Sequence, residues 1–249
     1  MPAQTVPGSP TPIGWRNYLV AGLSLAAVLA VFFHKSFAPD QILFSNDGPL
    51  GAIHSQAGHM WSSLLGVWQG LNWIGVQSPN TALDISGFLL AACCDTSPDF
   101  GSVLCAKIYA PTGVFLLGLG AWFLFRQLRF QPWVCLLGGL AAALNTTAFS
   151  VACWGLPTWP LACAMNLFAI SALVTPSIRN PAVKAALSGF AVGLGVMEGF
   201  DVGAILSVFT AAFAFLRGIT VEKGSRKKVA EGFAVVAIKI GRASCRERV

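Results

Sequence analysis

Four charged residues stand out because they lie beside or within long apolar runs. Asp47 lies in the segment SNDGP, shortly after the first apolar run, and Glu198 and Asp201 interrupt the longest run within the segment MEGFD. Lys107 lies close to the start of the second run. Carboxylates at such positions can accept a proton from an acceptor hydroxyl or hold a metal ion beside a phosphate.

Each of these residues also has a structural explanation. Ser-Asn-Asp-Gly-Pro is typical of a turn, in which Asp47 would bond to its own backbone. Glu198 and Asp201 fit a solvated turn as well as a functional site. Lys107 is either a counter-ion for one of these acids or extends its amine to the membrane surface. The spacing alone does not separate these alternatives.

The composition predicts an integral membrane protein. The chain has 249 residues, of which 55% are hydrophobic and 10% charged, and its mean hydropathy is +0.68. A soluble domain carries about a quarter charged residues. The net charge of +6 comes from short Lys/Arg clusters between apolar runs. These clusters form no basic face with interleaved aromatics, so we predict no nucleic-acid partner.

Both ends of the chain are set apart from the expected membrane domain. Residues 1–14 are rich in Pro, Ser and Thr and are predicted to be a disordered cytoplasmic segment. The final residues, KIGRASCRERV, match the translation of a sequencing adaptor, so residues 240–249 are treated as an artefactual tail. Removing its three arginines and one glutamate lowers the net charge from +6 to +4. We therefore expect 15–239 to be the N-terminal part of a longer transmembrane domain.

The apolar runs predict an all-α, polytopic transmembrane helix bundle with about six spans, since a helix needs about 20 residues to cross a bilayer. The run 185–216 is predicted to be a helical hairpin with Glu198 and Asp201 at its outer turn. Small-residue patterns such as GLGAW and LLGGLAAAL indicate close helix packing. The other four spans are predicted at 15–33, 103–125, 133–154 and 159–174.

The loop charges predict the orientation of these spans, because cytoplasmic loops are enriched in Lys and Arg. The basic loops share one side with the N-terminus, which we expect to be the cytoplasmic side of the inner membrane. The long loop 35–102, with Asp47, then lies on the outer side. Within it, residues 57–75 show the spacing of an amphipathic helix lying on the membrane surface or on the other spans. The segment LDISGFLLAACC is too short to cross, so it dips into the bilayer or caps the bundle.

The layout resembles a known family. A first span, a long outer loop that begins with an acid, and the segments FRQL, LLGGLAAALN and GFAVGLGVMEGFDVGAI resemble bacterial membrane proteins of the YfhO type. Those proteins are similar to the GT-C superfold of glycosyltransferases, which use polyprenyl-phosphate sugars as donors. The chain has EGFD where the YfhO type often shows a Gly-His-Pro-Gln-like segment.

The resemblance implies a function at the outer face of the membrane. It implies that Asp47 activates the acceptor or holds a divalent cation, and that a lipid-linked sugar enters between spans. Glu198, Asp201 and Lys107 would then line the outer cavity as substrate-binding residues. Two other classes stay open: a transporter or flippase, in which the run 185–216 is a broken helix pair, and a non-catalytic assembly subunit.

Overall fold

The computed structural model describes residues 15–44, 68–69, 76–77, 86 and 98–221. Seven α-helices, one 3-10 helix and two short strands lie within these residues. The 3-10 helix His34–Phe37 directly follows α1, and β1 (Trp68–Gln69) pairs antiparallel with β2 (Val76–Gln77). The helices are α1 (Trp15–Phe33), α2 (Pro98–Gln127), α3 (Pro132–Ala143), α4 (Thr146–Cys153), α5 (Thr158–Val174), α6 (Pro181–Glu198) and α7 (Phe200–Val221).

Several of these helices have the length and composition of membrane spans. In the described part of the chain, Trp15–Phe37, Ala106–Gln127 and Phe200–Arg217 each meet both requirements. The pair α3 and α4 forms a fourth candidate span, bent by 48°. The fold is therefore that of a helical, membrane-embedded protein. These lengths support three or four spans, so the expectation of six stays a prediction.

The first three helices alternate in direction. Ala21, near the start of α1, packs on Trp122 near the end of α2, whereas Phe33, at the end of α1, packs with Ala110 of α2. The next turn of the chain reverses direction again. Gly139 of α3 lies so close to Gly118 of α2 that an added Cβ would be 2.9 Å from the Gly118 carbonyl oxygen. Small residues thus bring these two helices together, as the sequence predicts.

The last helices continue the alternation. Gly120 of α2 lies against the backbone of Ala164 in α5, while Gly113 lies against Pro157 just before α5 begins, so α2 and α5 run parallel. Near the start of α7, a Cβ on Gly203 would overlap the carbonyl of Gly195 near the end of α6. The predicted helical hairpin is therefore present as α6 and α7.

This alternation separates the charged residues into two ends of the bundle. The acidic end holds Asp40, Lys107, Glu198 and Asp201, together with Lys35. The opposite end, here called the basic end, contains no Asp or Glu among the described residues. It is formed by the start of α1, the ends of α2, α5 and α7, and the loops between them. Its basic residues are Arg16, Arg126, Arg129, Arg179, Lys184 and Arg217.

The predicted span 133–154 is two helices rather than one. Asn145 lies between α3 and α4, and its side-chain oxygen accepts hydrogen bonds from the N–H groups of Thr147 (3.1 Å) and Ala148 (3.3 Å). Asn is among the best N-cap residues because it satisfies N–H groups that lack an intrahelical partner. The cap starts a new helix, and the 48° bend follows from it.

The helix predicted over 57–75 is wrong at Trp68. Trp68 and Gln69 have extended backbone, with Trp68 paired to Gln77 and Gln69 paired to Val76. Gly70 and Gly75 bracket the intervening segment, and each glycine disfavours a helix interior by about 1 kcal/mol. Trp and Val also favour strands. The rest of the predicted helix lies outside the described residues.

Candidate functional site

The structure describes three of the four residues singled out by the sequence. Asp47 lies outside the described residues, so its role stays a prediction. Lys107 lies in the first half of α2, Glu198 is the last residue of α6, and Asp201 lies in the first turn of α7. The last three lie at the same end of the bundle, but they do not form one cluster.

Glu198 is the centre of a buried polar cluster. Its side chain is 9% exposed, and one carboxylate oxygen accepts a hydrogen bond of 2.9 Å from the backbone N–H of Ser86. The other carboxylate oxygen accepts a hydrogen bond from the Ser86 hydroxyl. Since 112 residues separate the two positions, this contact ties Ser86, which precedes α2 in the chain, to the hairpin turn between α6 and α7.

The cluster extends from Ser86 to Tyr109 of α2. The Ser86 hydroxyl oxygen is hydrogen-bonded to the Tyr109 hydroxyl, and Tyr109 is itself buried. Ser86 has one hydroxyl proton, and it donates that proton to Glu198. The Tyr109 hydroxyl therefore donates to Ser86, which gives a directed chain of hydroxyls ending on the carboxylate. Such a chain fixes the side-chain geometry and can carry a proton between its ends.

Glu198 is set in place by the end of its helix. α6 begins at Pro181 behind the N-cap Asn180, whose side chain accepts from the N–H of Ala182 at 2.9 Å. It ends at Glu198, and Gly199 is the single residue between α6 and α7. An added Cβ at Gly199 would lie 3.2 Å from the Ala162 Cβ, so a small residue is needed for the hairpin turn to pack on α5.

Lys107 has a different partner. Its side chain is 7% exposed, and its ammonium group donates to the backbone carbonyl of Ala38, which follows α1. Two positions along a helix are about 200° apart, so Lys107 and Tyr109 point to different sides of α2. Among the described residues, Lys107 makes no ion pair with Glu198 or Asp201. A buried ammonium group is thus held by a neutral carbonyl oxygen.

An apolar groove lies beside Lys107, between α1 and α2. Its volume is about 240 Å³, and it includes Phe37 and Ile108, the chain neighbours of Ala38 and Lys107. Pro111 also lines it; because proline has no N–H, the carbonyl of Lys107 loses its helical hydrogen bond there. The groove is thus lined almost wholly by apolar side chains, and Lys107 and Ala38 adjoin its lining residues in the chain.

Asp201 has a local structural role in the described fold. It is exposed, and its carboxylate accepts a hydrogen bond of 2.8 Å from the N–H of Val202. An acid in the first turn of a helix is favoured by the helix dipole and by the free N–H groups there. Asp201 thus stabilises the start of α7 and stands apart from the Glu198 cluster.

The described residues provide no metal centre. No group of three or more His, Cys, Asp or Glu side chains comes together within them. The expected cation site would include Asp47, so the described part of the chain leaves that expectation untested.

Sequence reasoning missed Ser86 and Tyr109. Tyr109 carried a signal, because it is one of two tyrosines in the chain and its hydroxyl lies in an apolar run where it needs a partner. Ser86 carried none, since its partners lie far away in sequence.

No known protein family, curated protein or solved structure matches this chain.

Proposed function

We propose that this chain belongs to a GT-C-like glycosyltransferase, which moves a sugar from a polyprenyl-phosphate donor to an acceptor at the outer face of the membrane. The observation that carries the proposal is the buried carboxylate of Glu198 at one end of an apolar helix bundle. Ionisable side chains at membrane depth are costly and usually face a cavity or a partner that serves function. The resemblance to the YfhO type supplies the reaction class.

The proposal assigns an orientation to the bundle. Six basic residues at one end favour that end, and the N-terminus with it, on the cytoplasmic side of the inner membrane. The acidic end then faces outward. With alternating directions, α1, α2, the pair α3 and α4, α5, α6 and α7 would give the six spans expected from the sequence.

The residues have distinct roles in this proposal. Asp47 accepts the proton from the acceptor hydroxyl, or holds a divalent cation at the acceptor, as the resemblance implies. Glu198, held by Ser86, lines the outer cavity and orients hydroxyl groups of the sugar or acceptor. Asp201 contributes negative charge at its rim.

The donor has a binding path at α1 and α2. A polyprenyl chain can occupy the apolar groove there, which brings its phosphate close to Lys107. The ammonium group would exchange the neutral Ala38 carbonyl for a phosphate oxygen, which is a stronger, charge-assisted partner.

A transporter or flippase is the second candidate, and the bend between α3 and α4 favours it. Transporters place binding sites where membrane helices are interrupted, because free backbone groups there can bind substrate. In the described part of this chain, the 48° bend after Ala143 is such an interruption. In this alternative, Glu198 would bind a cation or a polar substrate instead of a glycosyl acceptor.

The test uses membranes from cells that express the full-length protein, supplied with radiolabelled polyprenyl-phosphate hexoses. Asp47→Asn and Glu198→Gln should each lower sugar transfer by about a hundredfold, the usual size of a general-base or key electrostatic contribution. Asp40→Asn, an exposed acid at the same end, is the matched control and should retain the wild-type rate.

Normal transfer by Asp47→Asn at normal protein levels removes that residue from the mechanism. Movement of a lipid-linked sugar across proteoliposomes, without transfer to any acceptor, would favour the transporter instead.

A further inference from the structure

A second cavity lies at the basic end, far from the Glu198 cluster. Its volume is about 230 Å³, and it forms where the first turns of α1 and α3 meet the last turns of α2. None of the roles assigned above uses it. Its lining includes Asn17, Val20, Trp122, Arg126, Trp133 and Leu136.

Arg126 is the charged residue that lines this cavity. Its Nε is buried and has no hydrogen-bond partner in the part of the chain that the structure describes. The thiol of Cys135 lies within hydrogen-bonding reach of the guanidinium group, but it donates to the carbonyl of Phe130 at 3.5 Å and is a weak, neutral partner for a cation. A buried N–H of a cation without an acceptor is unfavourable. The basic end also offers no acidic side chain among the described residues, so these residues leave the charge of Arg126 without an anionic partner.

The polar groups of the cavity favour the binding of a phosphate group. Arginine binds phosphate through two parallel hydrogen bonds, which a lysine at the same position does not provide. The first turn of α3, at Pro132 and Trp133, also borders the cavity. The partial positive charge of a helix N-terminus adds to the attraction that Arg126 exerts on an anion.

The remaining lining favours a lipid over a free anion. Val20, Trp122 and Leu136 form an apolar wall on which acyl chains can pack. Trp133 is 61% exposed, and its indole N–H donates to the Gln131 side chain at 2.6 Å. Tryptophan in this arrangement is typical of the headgroup layer of a membrane.

We propose that this cavity binds the headgroup phosphate of an anionic phospholipid from the leaflet at the basic end. The guanidinium of Arg126 holds the phosphate, and the apolar wall of Val20, Trp122 and Leu136 contacts the first part of the acyl chains. Basic pockets between membrane helices bind anionic headgroups by this combination of charge and apolar surface. The proposal depends on membrane embedding and is independent of sugar transfer.

Native mass spectrometry of the full-length protein tests this site with phosphatidylglycerol and phosphatidylcholine as probes. The wild-type chain should retain one phosphatidylglycerol and release phosphatidylcholine. Arg126→Gln should weaken phosphatidylglycerol retention by about tenfold, because one charge-assisted contact is lost. Arg179→Gln, which removes an exposed charge at the same end, is the control and should retain the lipid as the wild type does.

Leu136→Trp keeps the charge and fills the cavity, so it should show the same loss as Arg126→Gln if the cavity is the site. Unchanged retention in a folded Arg126→Gln or Leu136→Trp variant would overturn the proposal. Equal retention of phosphatidylcholine, or displacement of the lipid by inorganic phosphate at similar concentration, would overturn it as well.

Discussion

At the scale of single residues, the buried polar groups decide what this bundle can do. Tyr109, Ser86 and Glu198 form a directed hydrogen-bond chain at the acidic end, whereas Asp201 bonds to its own helix start. The two neighbouring acids of the MEGFD segment thus have different environments. Sequence reasoning treated them as a pair, because nothing in their spacing separates a buried carboxylate from an exposed one.

The hydrogen-bond chain predicts that Glu198 and Tyr109 contribute to the free energy of unfolding cooperatively. Glu198→Gln and Tyr109→Phe should each lower the free energy of unfolding by about 1 to 3 kcal/mol, since each removes a buried hydrogen bond. The double variant should lose less than the sum, with a coupling of roughly 0.5 to 3 kcal/mol. The measurement is SDS-induced unfolding in bicelles. Additive losses, within about 0.5 kcal/mol, would mean that the two side chains do not share a network.

The backbone conformation of Arg129 predicts that glycine at this position stabilises the protein. It has a φ of 65° in the turn between α2 and α3, where the N–H of Phe130 bonds to the carbonyl of Phe125 at 3.1 Å. The rings of Phe125 and Phe130 are 5.6 Å apart, which completes a Schellman cap with its usual apolar contact. Arg129→Gly should raise the free energy of unfolding by about 1 kcal/mol, because glycine adopts this conformation without strain.

Arg129→Ala is the matched control for that substitution. Alanine also removes the charge but keeps the strained Cβ, so the difference between the two variants isolates the backbone effect. Equal stability of the glycine and alanine variants in the same unfolding assay would contradict the assignment of the cap.

At the scale of the elements, close contacts between small residues set the helix arrangement. The bounds of α1, 15–33, could be predicted from the sequence because an uninterrupted apolar run leaves the helix no alternative in lipid. The hairpin turn near Gly199 was predictable for a similar reason, since charged residues interrupt a run too long for one span. The break at Asn145 was not predicted, because a single polar N-cap hardly changes the hydropathy of the run around it.

The packing of α6 against α7 predicts that alanine substitutions at two of their glycines change the free energy of unfolding in opposite directions. At Gly203 an added Cβ meets the Gly195 carbonyl, so Gly203→Ala should force α6 and α7 apart and lower the free energy of unfolding by about 1 to 3 kcal/mol. Gly189 has open space around it, and Gly189→Ala should raise stability by about 0.5 to 1 kcal/mol through helix propensity. Thermal unfolding followed by size-exclusion chromatography distinguishes the two signs. Equal effects of both substitutions would argue against the antiparallel pairing of α6 and α7.

At the scale of the whole molecule, the segregation of charge is the property on which the functional account rests. The six basic residues of one end and the Glu198 cluster of the other come from segments far apart in sequence. The sequence predicted this separation through the alternation of apolar runs and basic loops. It could not predict that Ser86 meets Glu198, because a contact across 112 residues depends on how the helices pack.

The most direct test of the account is the sidedness of the two ends in living cells. Single cysteines at Asp40→Cys and Ser177→Cys, in a cysteine-free background, occupy exposed positions at the acidic and basic ends respectively. A membrane-impermeant maleimide should label position 40 in intact cells and position 177 only after the membrane is permeabilised. Labelling of both positions from the same side would contradict the proposed orientation and, with it, an outward-facing site at Glu198.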